Sequence, residues 1–193
     1  MERLQQTPSQ TVGPFFAYSL TAEQYSYDYN SIVNGSLLSN DTAGERIHIT
    51  GSIFDGNSNT ISDAMIELWQ ADANGNYRTL PVNKKNDGFT GFGRLGTGTN
   101  DAHSFTFETI KPGALSGQSP HINAILFMRG SLQALYTRIY FSDEANDHDS
   151  LLNAVDNARR QTLIAERKEV NGMVVYEFDI YMQGEKETIF FEV

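Results

Sequence analysis

Hydrophobic and polar residues alternate with the two-residue period of β-strands over much of the chain beyond residue 45. The clearest case is 103–110, where Phe105 and Phe107 alternate with threonine and glutamate, as in a strand with one buried face. In the strand that starts near Arg46, isoleucines share one face and Gly51 interrupts it, which predicts a candidate β-bulge. Further strands are predicted at 64–69, 122–127, 135–141, 162–170 and 173–182.

Two local signals complete the predicted secondary structure. Asn171-Gly172 separates the last two strand-like runs and is the strongest short-range signal for a β-hairpin. Residues 147–159 predict one helix, with Asp149 or Ser150 as its N-cap. The residues predicted on its buried face are Leu151, Leu152 and Val155. Many short strands, frequent turns and one short helix predict an all-β fold, a β-sandwich.

In the first 45 residues, the hydrophobic positions follow neither the period of a helix nor that of a strand. Pro and Gly interrupt the segment 7–16, which is therefore predicted to be an extended, turn-containing arm. Three tyrosines alternate at 25–29 among polar neighbours, which indicates an ordered extension. The predicted division is an N-terminal arm and extension over 1–45 and a β-sandwich domain over 46–193.

The composition narrows the range of partners. The chain has 193 residues, of which 39% are hydrophobic and 20% charged, as in a folded protein with a substantial core. The net charge of −10 argues against nucleic acid and anionic membranes as partners. The chain has no cysteine, so disulfides and thiolate metal sites are excluded. Because no apolar leader or membrane-length run is present, a cytoplasmic location is the expectation.

The segment 111–130 has the frame of a metal site with part of its chemistry missing. His121 and Asn123 are two apart on a predicted strand, so their side chains point to the same face. A second histidine there would aim two imidazoles at one metal ion, whereas an amide oxygen is a poor ligand for a transition metal. A lone strand histidine is also often only a packed core residue.

Motifs along nearly the whole chain carry a family resemblance. They include Lys111-Pro112-Gly113, Pro120-His121-Ile122-Asn123 and Phe127-Met128-Arg129-Gly130. The other matching segments are 7–11, 13–14, 67–77, 91–94, 109–110, 137–141, 178–180 and 183–191. In these segments the chain resembles the intradiol ring-cleavage dioxygenases. The resemblance implies a β-sandwich of the intradiol dioxygenase type with an N-terminal arm.

Catalytic chains of this family bind a non-haem ferric ion, Fe(III), through two tyrosines and two histidines. By the motifs, Tyr77 stands at the first tyrosine position and His121 at the first histidine position. Leu115 stands where the second tyrosine is expected, and Asn123 where the second histidine is expected. The resemblance therefore implies vestigial metal-site positions, no catalytic residue and no metal in this chain.

With leucine and asparagine at these two positions, the chain resembles the α-type chains of the family. Such chains pair with a β chain that holds the iron. The resemblance implies an (αβ)n hetero-oligomer that uses O₂ to cleave protocatechuate, a dihydroxybenzoate, to 3-carboxy-cis,cis-muconate. In such an assembly Gly13 and Pro14 of the arm would form part of the pocket wall. Arg129 would line the substrate pocket at the α–β interface. From the residues alone, Arg129 could instead be a buried-side cation in a salt bridge with a neighbouring carboxylate.

Two other functions stay open from the sequence. One is a self-sufficient metalloenzyme that uses Tyr77, His121 and ligands from outside the chain. The other is a non-enzymatic β-sandwich module that binds an aromatic acid or another protein. The number of αβ units is not encoded in any motif of this chain.

Overall fold

The computed structural model describes residues 9–13, 15–78 and 89–192. Nine strands and two short α-helices are formed there. The strands are β1 Arg46–Phe54, β2 Met65–Gln70, β3 Phe92–Gly96, β4 Ser104–Ile110, β5 His121–Phe127, β6 Leu135–Phe141, β7 Ile164–Val170, β8 Met173–Glu177 and β9 Ile180–Tyr181. The α-helices are α1 Phe16–Leu20 and α2 Ser150–Ala154, and 3₁₀ turns cover Ala22–Tyr25 and Arg160–Leu163.

The strands form two four-stranded halves that are joined along one short seam. The first half has the order β3-β2-β5-β6 and the second has the order β7-β8-β1-β4. Strand β6 meets β7 over only two parallel pairs, Tyr140 with Ile164 and Phe141 with Ala165. The remaining strand, β9, extends the parallel pairing of β1. The seam lets the two halves fold over one another.

Buried side chains of both halves meet in one hydrophobic core. Ile66 and Leu68 of β2 lie in the same cluster as Phe105 and Phe107 of β4. The three isoleucines of β1 (Ile47, Ile49 and Ile53) are fully buried in this cluster. The alternation of apolar residues thus places one face of each half inside, and the predicted all-β sandwich is confirmed.

The predicted bulge at Gly51 is wrong. Gly51 stays paired in register with Phe105 between Ile49–Phe107 and Ser52–Ser104. The glycine instead permits a close backbone approach, because a Cβ placed there would lie 2.0 Å from the carbonyl oxygen of Phe178. The Phe178 backbone N–H in turn donates to the carbonyl of Thr50 at 2.8 Å.

Helix content also differs from the prediction. The predicted helix 147–159 is reduced to Ser150–Ala154, which Asp149 caps by accepting a hydrogen bond from the Leu152 backbone N–H at 2.9 Å. The helix ends where Asp156 accepts from the Ala158 backbone N–H, a local turn that competes with helical hydrogen bonds. A second helix, α1, and strand β3 were not predicted. The predicted strand 173–182 divides into β8 and β9.

The N-terminal extension is tied to the edge of the first half. The Gln24 side chain donates to the Gly96 carbonyl and accepts from the Gly96 backbone N–H, both at 2.7 Å. The Phe16 ring lies 5.4 Å from that of Phe127. No helix within the described residues is long and apolar enough to span a membrane. The predicted boundary at residue 45 stays a prediction.

Candidate functional site

Three of the four predicted ligand positions, Tyr77, His121 and Asn123, lie on or beside the outer face of β5. Ile122, Ala124 and other alternate residues of this strand enter the core, so His121 and Asn123 point to the opposite face. Tyr77 follows β2, and its hydroxyl accepts a hydrogen bond from Asn123 Nδ2 at 2.7 Å. The sheet therefore brings Tyr77 and Asn123 into direct contact, with His121 two residues along.

Arg138, on the neighbouring strand β6, forms a polar group with Tyr77 and Asn123. It lies opposite Asn123 in the β5–β6 register, and its Nε donates to Asn123 Oδ1 at 3.1 Å. Arg138 Nη1 donates to Gln118 Oε1 at 2.8 Å and lies 3.5 Å from the hydroxyl of Tyr140. All of these partners are neutral. The sequence signal for Arg138 was a charged residue inside an apolar strand, and the β5–β6 register places it across from the asparagine.

His121 is a buried, neutral imidazole. Its side chain is 1% exposed, and Nδ1 lies 2.8 Å from the carbonyl oxygen of Ser119, so Nδ1 carries the hydrogen. Burial lowers the pKa of His121, against the opposing effect of the Ser119 carbonyl. Its position therefore fits the packed structural histidine that the sequence allowed.

Asp149 ties the neighbouring loops together. This fully buried carboxylate accepts from the Tyr140 hydroxyl at 3.0 Å, the Ser119 backbone N–H at 3.0 Å and the Leu152 backbone N–H at 2.9 Å. Sequence reasoning found its capping role and missed the other two bonds. These bonds fix the loop that carries the His121 partner.

Leu115 is not part of the polar group. It starts a tight turn in which the Gln118 backbone N–H donates to the Leu115 carbonyl at 3.0 Å. The turn brings the side chain of Gln118, rather than that of Leu115, to Arg138. At Leu115, where the resemblance implies a second tyrosine ligand, the side chain is aliphatic and has no polar atom.

These residues do not fit a ferric ion. Burial raises the pKa of Tyr77, which disfavours the phenolate, although the Asn123 hydrogen bond and the charge of Arg138 act in the other direction. The Asn123 oxygen is already bound by the Arg138 guanidinium, a permanent cation that repels a metal cation. Within 9–13, 15–78 and 89–192 no cluster of three or more His, Cys, Asp or Glu side chains could hold a metal.

A cavity of about 440 Å³ opens beside this polar group. Its polar corner is formed by Tyr77, Asn123 and Arg138. Its walls are mostly apolar or aromatic: Trp69, Ala124, Ile125, Tyr136, Thr137, Leu151 and Phe191. Phe191 is held there because its backbone N–H donates to the Tyr136 carbonyl at 2.7 Å.

Arg129 and the N-terminal arm lie together near the opposite end of β5. The Thr11 hydroxyl accepts from the Gly130 backbone N–H at 2.9 Å, which places the arm beside Arg129. Arg129 forms an ion pair with Asp63, and its side chain is 61% exposed. The salt bridge that the sequence allowed is therefore present, whereas the expectation of a buried-side cation is wrong for the chain itself.

Gly13 follows on the same arm, and it is exposed. Its carbonyl accepts from the Phe16 backbone N–H at 3.1 Å, and a Cβ placed on Gly13 would have no atom within 4 Å. Pro14 lies outside the described residues. The structure thus brings Gly13 and Arg129 to one region of the surface and leaves Tyr77 and Asn123 at the other end of β5.

Comparisons with known proteins agree on one family. A family model described as "Dioxygenase" matches residues 20–184. The chain is 47% identical to the protocatechuate 3,4-dioxygenase alpha chain of Burkholderia cepacia, over the whole of both chains. It is 32% identical to the beta chain from the same organism, over 82% of this chain and 71% of that one.

A solved structure shows the same fold. It is the dioxygenase domain of a dioxygenase–carbohydrate-binding protein fusion from Streptomyces sp. SirexAA-E, with 26% sequence identity and a TM-score of 0.62. The alignment covers 92% of this chain and 97% of that domain.

Proposed function

We propose that this chain is one subunit of a larger enzyme, because it belongs to the intradiol ring-cleavage dioxygenases. In this role it is the α chain of a protocatechuate 3,4-dioxygenase, paired with a β chain in a hetero-oligomer. The assembled enzyme inserts both atoms of O₂ between the two hydroxylated carbons of protocatechuate and yields 3-carboxy-cis,cis-muconate. The ferric ion belongs to the β chain.

One observation carries this proposal: Arg138 occupies the polar group in which two of the predicted ligand positions, Tyr77 and Asn123, meet. Its guanidinium holds the oxygen of Asn123, whose amide in turn binds the hydroxyl of Tyr77. With Leu115 offering no donor atom, the chain has no set of anionic ligands for a trivalent ion at these positions. The same geometry disfavours a self-sufficient metalloenzyme that uses Tyr77 and His121.

The contribution of this chain to substrate binding is a wall of the pocket at the junction with its partner. Gly13, Pro14 and Arg129 supply it. An exposed arginine gives a carboxylate-bearing substrate a charge-assisted contact. A Gly-Pro segment has few side-chain atoms and suits close approach of the backbone to a ligand. The closeness of Thr11 to Gly130 supports a shared site for the arm and Arg129.

The test is reconstitution of turnover. This chain, a β chain of the family, and the two expressed together are compared for oxygen uptake with protocatechuate. We expect turnover only from the co-expressed pair, with both chains in one complex. Cleavage by this chain alone would contradict the proposal. So would a β chain whose kinetics are unchanged by the presence of this chain.

A further inference from the structure

The cavity beside Arg138 has the dimensions and walls of a small-molecule site. Its volume of about 440 Å³ lies within the range of roughly 300–1,000 Å³ that is typical of ligand pockets. Trp69, Tyr136 and Phe191 supply aromatic surface, and Ile125 and Leu151 supply aliphatic surface. Such walls suit a flat apolar ring better than a free phosphate.

Arg138 gives this cavity a positive charge that no carboxylate of the described residues contacts directly, although the buried Asp149 lies one hydroxyl away, bound by Tyr140. Its three hydrogen-bond partners are the side chains of Asn123, Gln118 and Tyr140, and no carboxylate among the described residues forms an ion pair with it. Arg138 Nη2 has no partner among these residues. A half-buried guanidinium with a free N–H edge is a site for an anion.

The other polar atom at this corner is also a donor. The Tyr77 hydroxyl accepts its hydrogen bond from Asn123, so its own hydrogen is left without a partner in the described segments. The Asn123 amide is bound at both ends, because its oxygen accepts from Arg138 and its Nδ2 hydrogens are directed to Tyr77 and to the Trp69 carbonyl. The unpartnered hydrogens at this corner, on Arg138 Nη2 and the Tyr77 hydroxyl, are both donors, which suits a carboxylate and not an ammonium group.

We propose that this cavity binds a small aromatic monocarboxylate, with the carboxylate on Arg138 and Tyr77 and the ring between Trp69 and Phe191. Binding needs no metal, no ring hydroxyl groups and no partner chain. The proposal is therefore independent of the role of this chain in ring cleavage.

Trp69 makes a direct test available, because it is the only tryptophan in the chain and it lines the cavity. The full-length chain, purified without metal, is titrated with benzoate and with benzamide while tryptophan fluorescence is followed. We expect a saturable response to benzoate. Benzamide keeps the ring and loses the charge, so we expect its affinity to be lower by roughly tenfold or more.

Two variants test whether the fluorescence response to benzoate comes from binding in the cavity. Arg138→Gln should weaken benzoate binding by roughly tenfold or more. Arg167→Gln changes an exposed arginine outside the cavity lining and should leave the affinity unchanged. Circular dichroism establishes that each variant is folded. If Arg138→Gln does not fold, the comparison of benzoate with benzamide on the unaltered chain decides.

Three results would overturn the proposal. They are the absence of a saturable benzoate response, equal affinity for benzoate and benzamide, and unchanged benzoate affinity in a folded Arg138→Gln variant.

Discussion

Arg138 and Asn123 face each other across β5 and β6, and their pairing decides what the outer face of the sheet can bind. An arginine guanidinium is a cation with donors and no acceptor. A metal cation beside the guanidinium would therefore meet like-charge repulsion, which grows with the charge of the ion. Replacing one ligand at a time would not remove that repulsion.

Arg129 is the residue whose proposed role is tested most simply by kinetics. In the assembled enzyme, Arg129→Ala should raise KM for protocatechuate by roughly tenfold, with a smaller effect on kcat, because a positioning charge is lost. Asp63→Asn is the matched control, since it removes the partner of Arg129 within the chain and leaves the guanidinium in place. Unsubstituted catechol lacks the carboxylate and should be affected much less. Equal losses for both substrates would assign Arg129 a structural role.

His121 predicts a pH dependence of stability. Burial lowers its pKa in the folded chain, whereas the unfolded chain binds a proton near pH 6.5. The unfolded state therefore holds more protons below that pH, and the free energy of unfolding falls as the pH drops from about 7.5 to 5.5, by at most about 1.4 kcal/mol per pH unit from this group.

The measurement is denaturant unfolding across that pH range. His121→Asn keeps a donor for the Ser119 carbonyl and cannot titrate, so its stability should change less with pH than that of the unaltered chain. His148→Asn, at an exposed position, is the control. Identical pH slopes for His121→Asn and the unaltered chain would remove His121 as the cause.

At the scale of elements, most strands were predicted from the sequence because their apolar positions, alternating or continuous, are the positions that the fold buries. The hairpin turn at Asn171-Gly172 appears as expected, with both residues at positive φ. Strand β3 was missed because Gly93 and Gly96 break its apolar pattern. Arg138 was missed as a site residue because only the β5–β6 register brings it to Asn123.

Gly51 lies directly against the backbone of Phe178, so a substitution there should cause a large loss of stability. A Cβ there would meet the Phe178 carbonyl at 2.0 Å, so Gly51→Ala must displace the chain between β8 and β9. We expect the free energy of unfolding to fall by at least about 2 kcal/mol. Gly13→Ala, where a Cβ meets no atom within 4 Å, should change it little. Equal stability of the two variants would contradict this packing.

The arm is the element whose role depends most on the proposed assembly. Deleting residues 1–13 removes the segment before α1 and leaves the contact of Phe16 with Phe127. The sandwich should stay folded by circular dichroism, while the assembled enzyme should show a raised KM for protocatechuate. Normal kinetics in the truncated complex would show that the arm is dispensable.

At the scale of the whole molecule, the N-terminal extension carries four of the eight exposed large hydrophobic side chains of the described residues. Phe15, Tyr29 and Ile32 are 72%, 74% and 79% exposed, and Tyr27 is 52% exposed. Soluble monomers rarely expose large apolar patches, and such surface is typical of a protein interface. The extension and arm therefore support the proposed assembly with a β chain, in which the pocket wall is completed between two chains.

Metal analysis of the chain purified alone tests the central claim most directly. The chain is expressed with iron in excess, and its iron content and visible spectrum are measured beside those of the co-expressed complex. The account predicts a colourless chain without stoichiometric iron, and a coloured complex whose iron remains with the β chain when the chains are separated. A red-brown preparation of this chain alone, with about one iron per chain and a phenolate-to-iron absorption band, would contradict it.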